Sequence, residues 1–297
     1  MSTFRHLTLG AAALATLAAT VGCGQTGMMN TYVPQMVRSG MPIINAMGVT
    51  RKLGYNLADA KHVRHNIHHL PRQAMLPSAV DNRHFCSPVA DQGQLGSCTA
   101  FAMGKGLREY LENKNGEQAV PVSALFLYYE ERKLEGSVDQ DSGASMKDGM
   151  TVLNQTGVAA DELWPYDISK FTQIPPKAAY ADAPNHKIKG FQEVSGVDDA
   201  KTAIANGDPV AIGMVVYESF ENIGSNGVMP MPKKGESILG GHALLLVGYN
   251  DAKKQFIVRN SWSSGWGDHG YFYMPYAFAS GSIGGQADIM EWYTSNG

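Results

Sequence analysis

An α+β fold, with a helical half followed by a strand-rich half, is predicted by three observations. Apolar residues recur at helical spacing between 98 and 156, whereas β-branched and aromatic runs parted by Gly, Asn and Asp dominate after 187. The 33 glycines in 297 residues imply many tight turns and close backbone approaches, which a helical bundle would not need. At 44% hydrophobic and 17% charged, the chain has the composition and length to bury one large core or two moderate ones. A formal net charge of -3 with no basic footprint excludes a nucleic-acid binder.

Residues 1–22 read as a signal peptide: Arg5 and His6 precede an apolar, Ala-rich run from Leu7 to Gly22 that is short for a membrane span. The following Gly22-Cys23 resembles a bacterial lipobox, with Thr20 where that pattern usually has Leu. Export is therefore expected, with Cys23 lipidated and the protein held on a membrane, or released if it is not. From 23 to 76 the chain reads as a tether, or as a pro or regulatory segment that is retained and covers the cleft. His62, His65, His68 and His69 lie there, but no cysteine or carboxylate completes a zinc set, so no metal is expected. Solvated surface, or a pH-sensitive surface segment, is the reading that remains.

A helical half is expected over 77–186. Met103, Leu107, Tyr110 and Leu111 fall on one face of a helix after Cys98, and Gly104 and Gly106 call for a close neighbour. Ser123 and Ser145 are placed to cap two further helices, the second stopping at Gly157. Over 187–297 the strands expected are 209–216, 243–249, 255–259 and 270–274, with one helix at 198–206. A long loop from Gly224 to Gly241 leads directly to His242.

Cys98 follows a glycine-bearing loop, Gln92-Gly-Gln-Leu-Gly-Ser, at a predicted helix start, where the helix dipole favours a thiolate. A nucleophilic thiol needs a base, and His242 lies far downstream in Gly240-Gly-His-Ala243. Cys86 must stay out of a disulfide with Cys98 for that chemistry to run, and is read as a buried small hydrophobe.

Gln92-Gly-x-x-Gly-Ser-Cys98, Gly-His242-Ala and Asn260-Ser-Trp262-x-x-Gly-Trp266-Gly together resemble the papain-like cysteine peptidases, over roughly 77–276. Val80-Asp-x-Arg83 and Gly248-Tyr249 add to the likeness. The resemblance implies a two-lobed fold, a helical lobe and a β-barrel-like lobe, with the cleft between them. It further implies Cys98 as nucleophile, His242 as acid and base, Asn260 orienting the imidazole, Gln92 as oxyanion donor and Trp262 as cover. Gly143 and Ala144 stand where the family binds substrate backbone, and Met214 and Gly241 where its second side-chain pocket forms. Leu95 and Thr99 depart from the mammalian and plant pattern and match bacterial branches instead. A peptide or protein substrate and no cofactor are expected. An acyl transferase or amidase using the same residues, or an inert binding protein on the same fold, remain open alternatives.

Overall fold

The computed structural model describes residues 43–58, 70, 75–281 and 288–297. All of them fall within one compact unit, 37–297. Cys23, the predicted signal peptide and the four clustered histidines lie outside the described residues.

The helical lobe opens with α1 (Cys98–Ala100), which runs without a break through a π-helical stretch, Phe101–Arg108, into α2 (Glu109–Lys114). Met103, Leu107, Tyr110 and Leu111 are all buried, as their spacing requires. The two glycines in this helix do face close neighbours, Leu127 over Gly104 and Leu245 over Gly106. The helix therefore packs closely on both the next helix and the sheet. Ser123 caps α3 (Ala124–Leu134), its Oγ accepting the Phe126 N–H at 3.0 Å, and Ser145 caps α4 (Met146–Gln155) through the Asp148 N–H at 3.1 Å. A short α5 (Lys177–Asp182) closes the lobe.

The strand-rich lobe is one antiparallel sheet in the order β4 (Gln192–Glu193), β9 (Ile289–Thr294), β5 (Val210–Tyr217), β6 (Ile238–Asn250), β7 (Gln255–Arg259), β8 (Tyr271–Pro275). β3 (Ala79–Asp81) pairs with the far end of β6. The α+β fold with a helical and a strand-rich lobe is as expected, its barrel-like sheet staying open between β4 and β8 among the described residues. Two expectations are corrected. β6 begins at Ile238, so His242 sits inside a strand rather than at the end of a loop reaching Gly241. The lobe also holds more than α6 (Gly196–Ala205): a 3₁₀ turn at Glu218–Asn222 and a short α7 (Tyr276–Ala279) flank the strands.

Strand alternation divides the apolar residues into two layers. Ala211, Val215, Ala243, Leu245 and Val247 face the helices, packing against Phe101, Leu107 and Tyr110. Ile212, Met214, Leu244 and Leu246 face the other way, toward Phe220, Trp262, Trp266 and Phe272. The first layer fixes the helix carrying Cys98 against the strand carrying His242.

Before this scaffold comes a hairpin, β1 (Ile43–Ala46) and β2 (Val49–Lys52), turning at Met47-Gly48, both with positive φ. A tether followed by a short amphipathic or extended segment was expected here, and the hairpin supplies the extended part with a turn that no periodicity announces.

Candidate active site

The loop before α1 is held by side chains that leave one amide pointing outward. Ser261 Oγ donates to Gln92 Oε1 at 2.6 Å, which turns the Gln92 NH₂ away, toward the Leu95 carbonyl at 3.1 Å and the Lys52 carbonyl at 3.0 Å. The backbone is fixed as well, with Gln92 N–H on the Ser261 carbonyl at 2.9 Å and Tyr166 Oη on the Gln92 carbonyl at 2.8 Å. Ser97 exchanges a hydrogen bond with the same Tyr166 hydroxyl at 2.6 Å. Asp141 accepts from the Gly96 N–H at 3.0 Å and the Tyr128 hydroxyl at 2.6 Å, tying this loop to the one ending at Ala144.

Across the cleft, His242 Nε2 lies 2.8 Å from Asn260 Oδ1, and that oxygen also accepts the Ser261 N–H at 2.8 Å. The Ser261 bond identifies the atom as the amide oxygen, so Nε2 carries the imidazole proton and Nδ1 is the basic nitrogen. His242 Nδ1 has no hydrogen-bond partner. Trp262 stacks on the imidazole, ring centres 4.9 Å apart and planes at 23°, and shields the His242–Asn260 bond from water.

The backbone N–H groups of Ala243, beside His242, and of Gly54 act on Cys98 Sγ in favour of its thiolate. Cys98 and His242 are both fully buried. Burial pushes the thiol up to about 12, against the opposing pull of the Ala243 and Gly54 amides, and the buried Glu131 carboxyl nearby adds to the rise. Burial also lowers the imidazole to about 4, with the Asn260 bond working the other way. In this arrangement the pair is neutral at pH 7.

What buries them is the chain itself. Residues 52–57 run as an extended peptide along the cleft: Tyr55 N–H donates to the Gly241 carbonyl at 3.1 Å, Ala144 N–H to the Gly54 carbonyl at 2.9 Å, and Asn56 N–H to the Ala144 carbonyl at 3.1 Å. Gly54 crosses directly against the nucleophile loop, and a Cβ there would lie 1.9 Å from the Gly96 carbonyl oxygen. Only glycine fits. Lys52 pairs with Asp141 at 2.6 Å and Arg51 with Asp91 at 2.8 Å. Gln92 thus holds a peptide carbonyl while Sγ faces a peptide N–H, which is a donor and not a carbon that a thiolate can attack.

The structure brings Cys98, His242, Asn260, Gln92 and Trp262 together, and sets Ala144 and Gly241 on the two walls holding the peptide backbone. Gly143 stands one step back, with φ +71 and its N–H on the Tyr128 hydroxyl at 3.0 Å. Met214 is corrected: it is buried on the opposite face of β5, and Gly213 is the residue that meets the peptide. A one-residue offset in a strand reverses the face. Sequence reasoning missed Gly213, Glu291, Lys52 and Tyr55. Cys86, like Cys98, is a free thiol.

Among the described residues no group of three His, Cys, Asp or Glu could hold a metal ion, and no helix is long and apolar enough to cross a membrane. A family model described as papain family cysteine protease matches residues 76–288. An uncharacterised peptidase C1-like protein of Acanthamoeba polyphaga mimivirus is 40% identical over 201 residues, 64% of this chain and 65% of that protein. Mouse cathepsin K is 28% identical over 212 residues, 67% of this chain and 60% of its own length. The aligned part thus falls just short of two thirds of both relatives. Among solved structures, xylellain, a cysteine protease from Xylella fastidiosa, superposes with a TM-score of 0.70 at 33% identity, over 82% of this chain and 95% of that one. Procathepsin B S9 from Trypanosoma congolense, at 16% identity and a TM-score of 0.63 over 82% of this chain and 85% of that one, shares the fold. With the fold, the site and these matches in agreement, the chain belongs to the papain family of cysteine proteases.

Proposed function

We propose that this protein is a cysteine endopeptidase whose own residues 43–57 hold it inactive. The observation that carries this reading is the extended peptide in the cleft, with a carbonyl on the Gln92 amide and its backbone hydrogen-bonded to both walls. A groove that binds main chain on both sides of a thiol is suited to peptide substrates. The segment also passes the thiol without ending there, which favours cleavage within chains over removal of terminal residues.

In the proposed reaction, His242 Nδ1 takes the Cys98 proton and the sulfur attacks the substrate carbonyl carbon. The Gln92 NH₂ stabilises the oxygen as it gains negative charge. The imidazolium returns its proton to the amine nitrogen as the C–N bond breaks, leaving a thioester. Water, deprotonated by the same nitrogen, then releases the acid and restores the thiol. Asn260 fixes the ring so that Nδ1 faces the sulfur, and Trp262 protects that bond.

The test is hydrolysis of fluorogenic peptides by the full chain carrying Gly54→Val, with Cys98→Ala as its control. Cysteine-dependent cleavage is expected; equal signals from both would end the reading. We further propose that the protein is exported and lipidated on Cys23, on the strength of the apolar leader and the lipobox-like Gly22-Cys23. Radiolabelled palmitate should enter the wild-type chain and not Cys23→Ala.

A further inference from the structure

Helix α3 ends at Leu134 and α4 starts at Met146, and the stretch between them, which carries the Ala144 wall of the cleft, takes its place largely from side chains. Arg132, fully buried, supplies one set. Its guanidinium donates to the Val138 carbonyl at 2.8 Å, the Gln140 carbonyl at 3.0 Å and the Phe171 carbonyl at 2.5 Å. It also lies over the Tyr128 ring, 4.2 Å from the centroid. These contacts fix the backbone immediately before Asp141.

The Asp141 side chain is 12% exposed, and its carboxylate meets three elements at once. Oδ1 accepts the Gly96 N–H at 3.0 Å and the Tyr128 hydroxyl at 2.6 Å, while Oδ2 takes Lys52 Nζ of the cover at 2.6 Å. The Tyr128 oxygen in turn accepts the Gly143 N–H at 3.0 Å. An unbroken chain of bonds thus runs from the loop that grips main chain to Gly96, two residues before the nucleophile. Burial, reinforced by the Asp141 carboxylate, holds the Tyr128 phenol well above its ordinary value and keeps it a donor. When the cover leaves, Lys52 goes, and the bonds of Ala144 to Gly54 and Asn56 go with it. Among the described residues, the hydrogen bonds that still join 136–144 to the nucleophile loop are then those of Asp141.

We propose that Asp141 is a positioning residue for the peptidase reaction: its carboxylate clamps the nucleophile loop to the loop that grips substrate main chain, and so sets the distance from the gripped backbone to the sulfur. This rests on the peptidase reading above and adds a residue to it. Asp141 acts through Gly96 and Tyr128 rather than on a reacting atom. With the clamp loosened, substrate still binds Ala144, but its carbonyl carbon arrives out of line, and a misplacement of about 1 Å costs roughly 10²-fold in rate. The loss therefore falls on kcat and not on KM. Both partners in the open enzyme are neutral donors, so the clamp needs an acceptor more than it needs a charge. An asparagine oxygen can serve both donors, and alanine serves neither.

Two measurements on the full chain carrying Gly54→Val test this, one of them independent of peptidase activity. Amide hydrogen exchange, read by mass spectrometry on fragments covering 93–98 and 142–146, reports the clamp itself. Asp141→Ala should speed exchange in both by roughly 10-fold or more, and Asp141→Asn should stay near the parent. Fragments of β6 should be unchanged throughout, which a general loss of structure would not allow. Steady-state kinetics on fluorogenic peptides report the consequence. Asp141→Ala should lower kcat by roughly 10²-fold with KM moving only about two- to three-fold. Asp141→Asn should recover most of that loss, and Tyr128→Phe should fall between the two. Equal exchange in Asp141→Ala and its parent overturns the clamp. Faster exchange with kcat unchanged, or no rescue by asparagine, overturns the positioning role. If exchange follows the acceptor rule and the Gly54→Val parent cuts no peptide, the clamp stands and the peptidase reading falls.

Discussion

The two ends of the segment over the cleft are held by different physics. At the hairpin end, Met47 and Val49 are 48% and 47% exposed, and Arg51 grips an Asp91 side chain that is itself 40% exposed. A cavity of about 200 Å³, lined by Ala46, Val49 and Arg51 and by Trp262, Gly265 and Trp266, separates this end from the Trp262 loop. At the other end Tyr55 is 2% exposed, bound through backbone and side chain. Water and salt reach the turn and the Arg51–Asp91 pair, whereas Ile44 and Ala46 of the same hairpin are buried against the sheet-lobe core and Tyr55 is buried in the cleft. The exposed turn and ion pair are therefore the weakest contacts of the cover, and the stretch from Gly54 to Tyr55 is the part that closes the site.

The comparison breaks most completely at the thiol. In the Gly54→Val chain, adding Cys98→Ala should lower kcat/KM at least about 10⁴-fold, since no other group can form the thioester. Gln92→Ala in the same chain should lower kcat by about 10²- to 10³-fold with a smaller change in KM, the pattern for a donor used in the transition state. Gly54→Val itself drives a side chain into the Gly96 carbonyl and should raise peptidase activity over wild type by about 10²-fold, provided the tight end is the one that closes the site. Should Gly54→Val leave activity unchanged, the ranking of the two ends is wrong.

The same substitution should alter the pH dependence of alkylation, and the direction follows from the cause. Covered, the thiol is raised to about 12 by burial, so wild-type Cys98 reacts slowly at neutral pH and faster only as pH climbs. Uncovered, it regains water and an imidazole whose own value is no longer pulled down. The reactivity midpoint should then fall by several pH units, read as a rate profile between pH 5 and 10. The smallest effect belongs to the hairpin end, where Arg51→Ala should raise activity only a few-fold because its partner is exposed.

What the sequence disclosed divides along the same line. Gln92, Cys98, His242, Asn260 and Trp262 were legible because each sits in a short motif whose glycines and neighbours serve the local backbone. Helices α3 and α4 were legible through Ser123 and Ser145, whose caps are local hydrogen bonds. A segment covering the cleft was one reading of 23–76, but the residues that do so were not legible, since 52–57 adopt their shape from walls some ninety to nearly two hundred positions away and leave no periodic trace. Met214 was placed on the pocket wall because a motif fixes a strand but not which face a residue takes; Gly213 is its neighbour on the correct side. Glu291 went unseen because β9 lies outside every motif and joins the site only through its pairing with β5. The open sheet and the early start of β6 are likewise tertiary outcomes, set by which strands pair.

The peptide in the cleft is continuous with the lobe it covers, since the chain passes from Leu57 on to Pro77 and the body of the fold. A tethered ligand is present at an effective concentration of about millimolar whatever the dilution of the protein, so even weak contacts keep it seated. One cut in that connection would exchange this concentration for that of the free fragment in bulk solvent. The contacts would be unchanged and the cleft would empty by dilution alone. Such a step is governed by the volume into which the two pieces separate, and by no contact within the cleft.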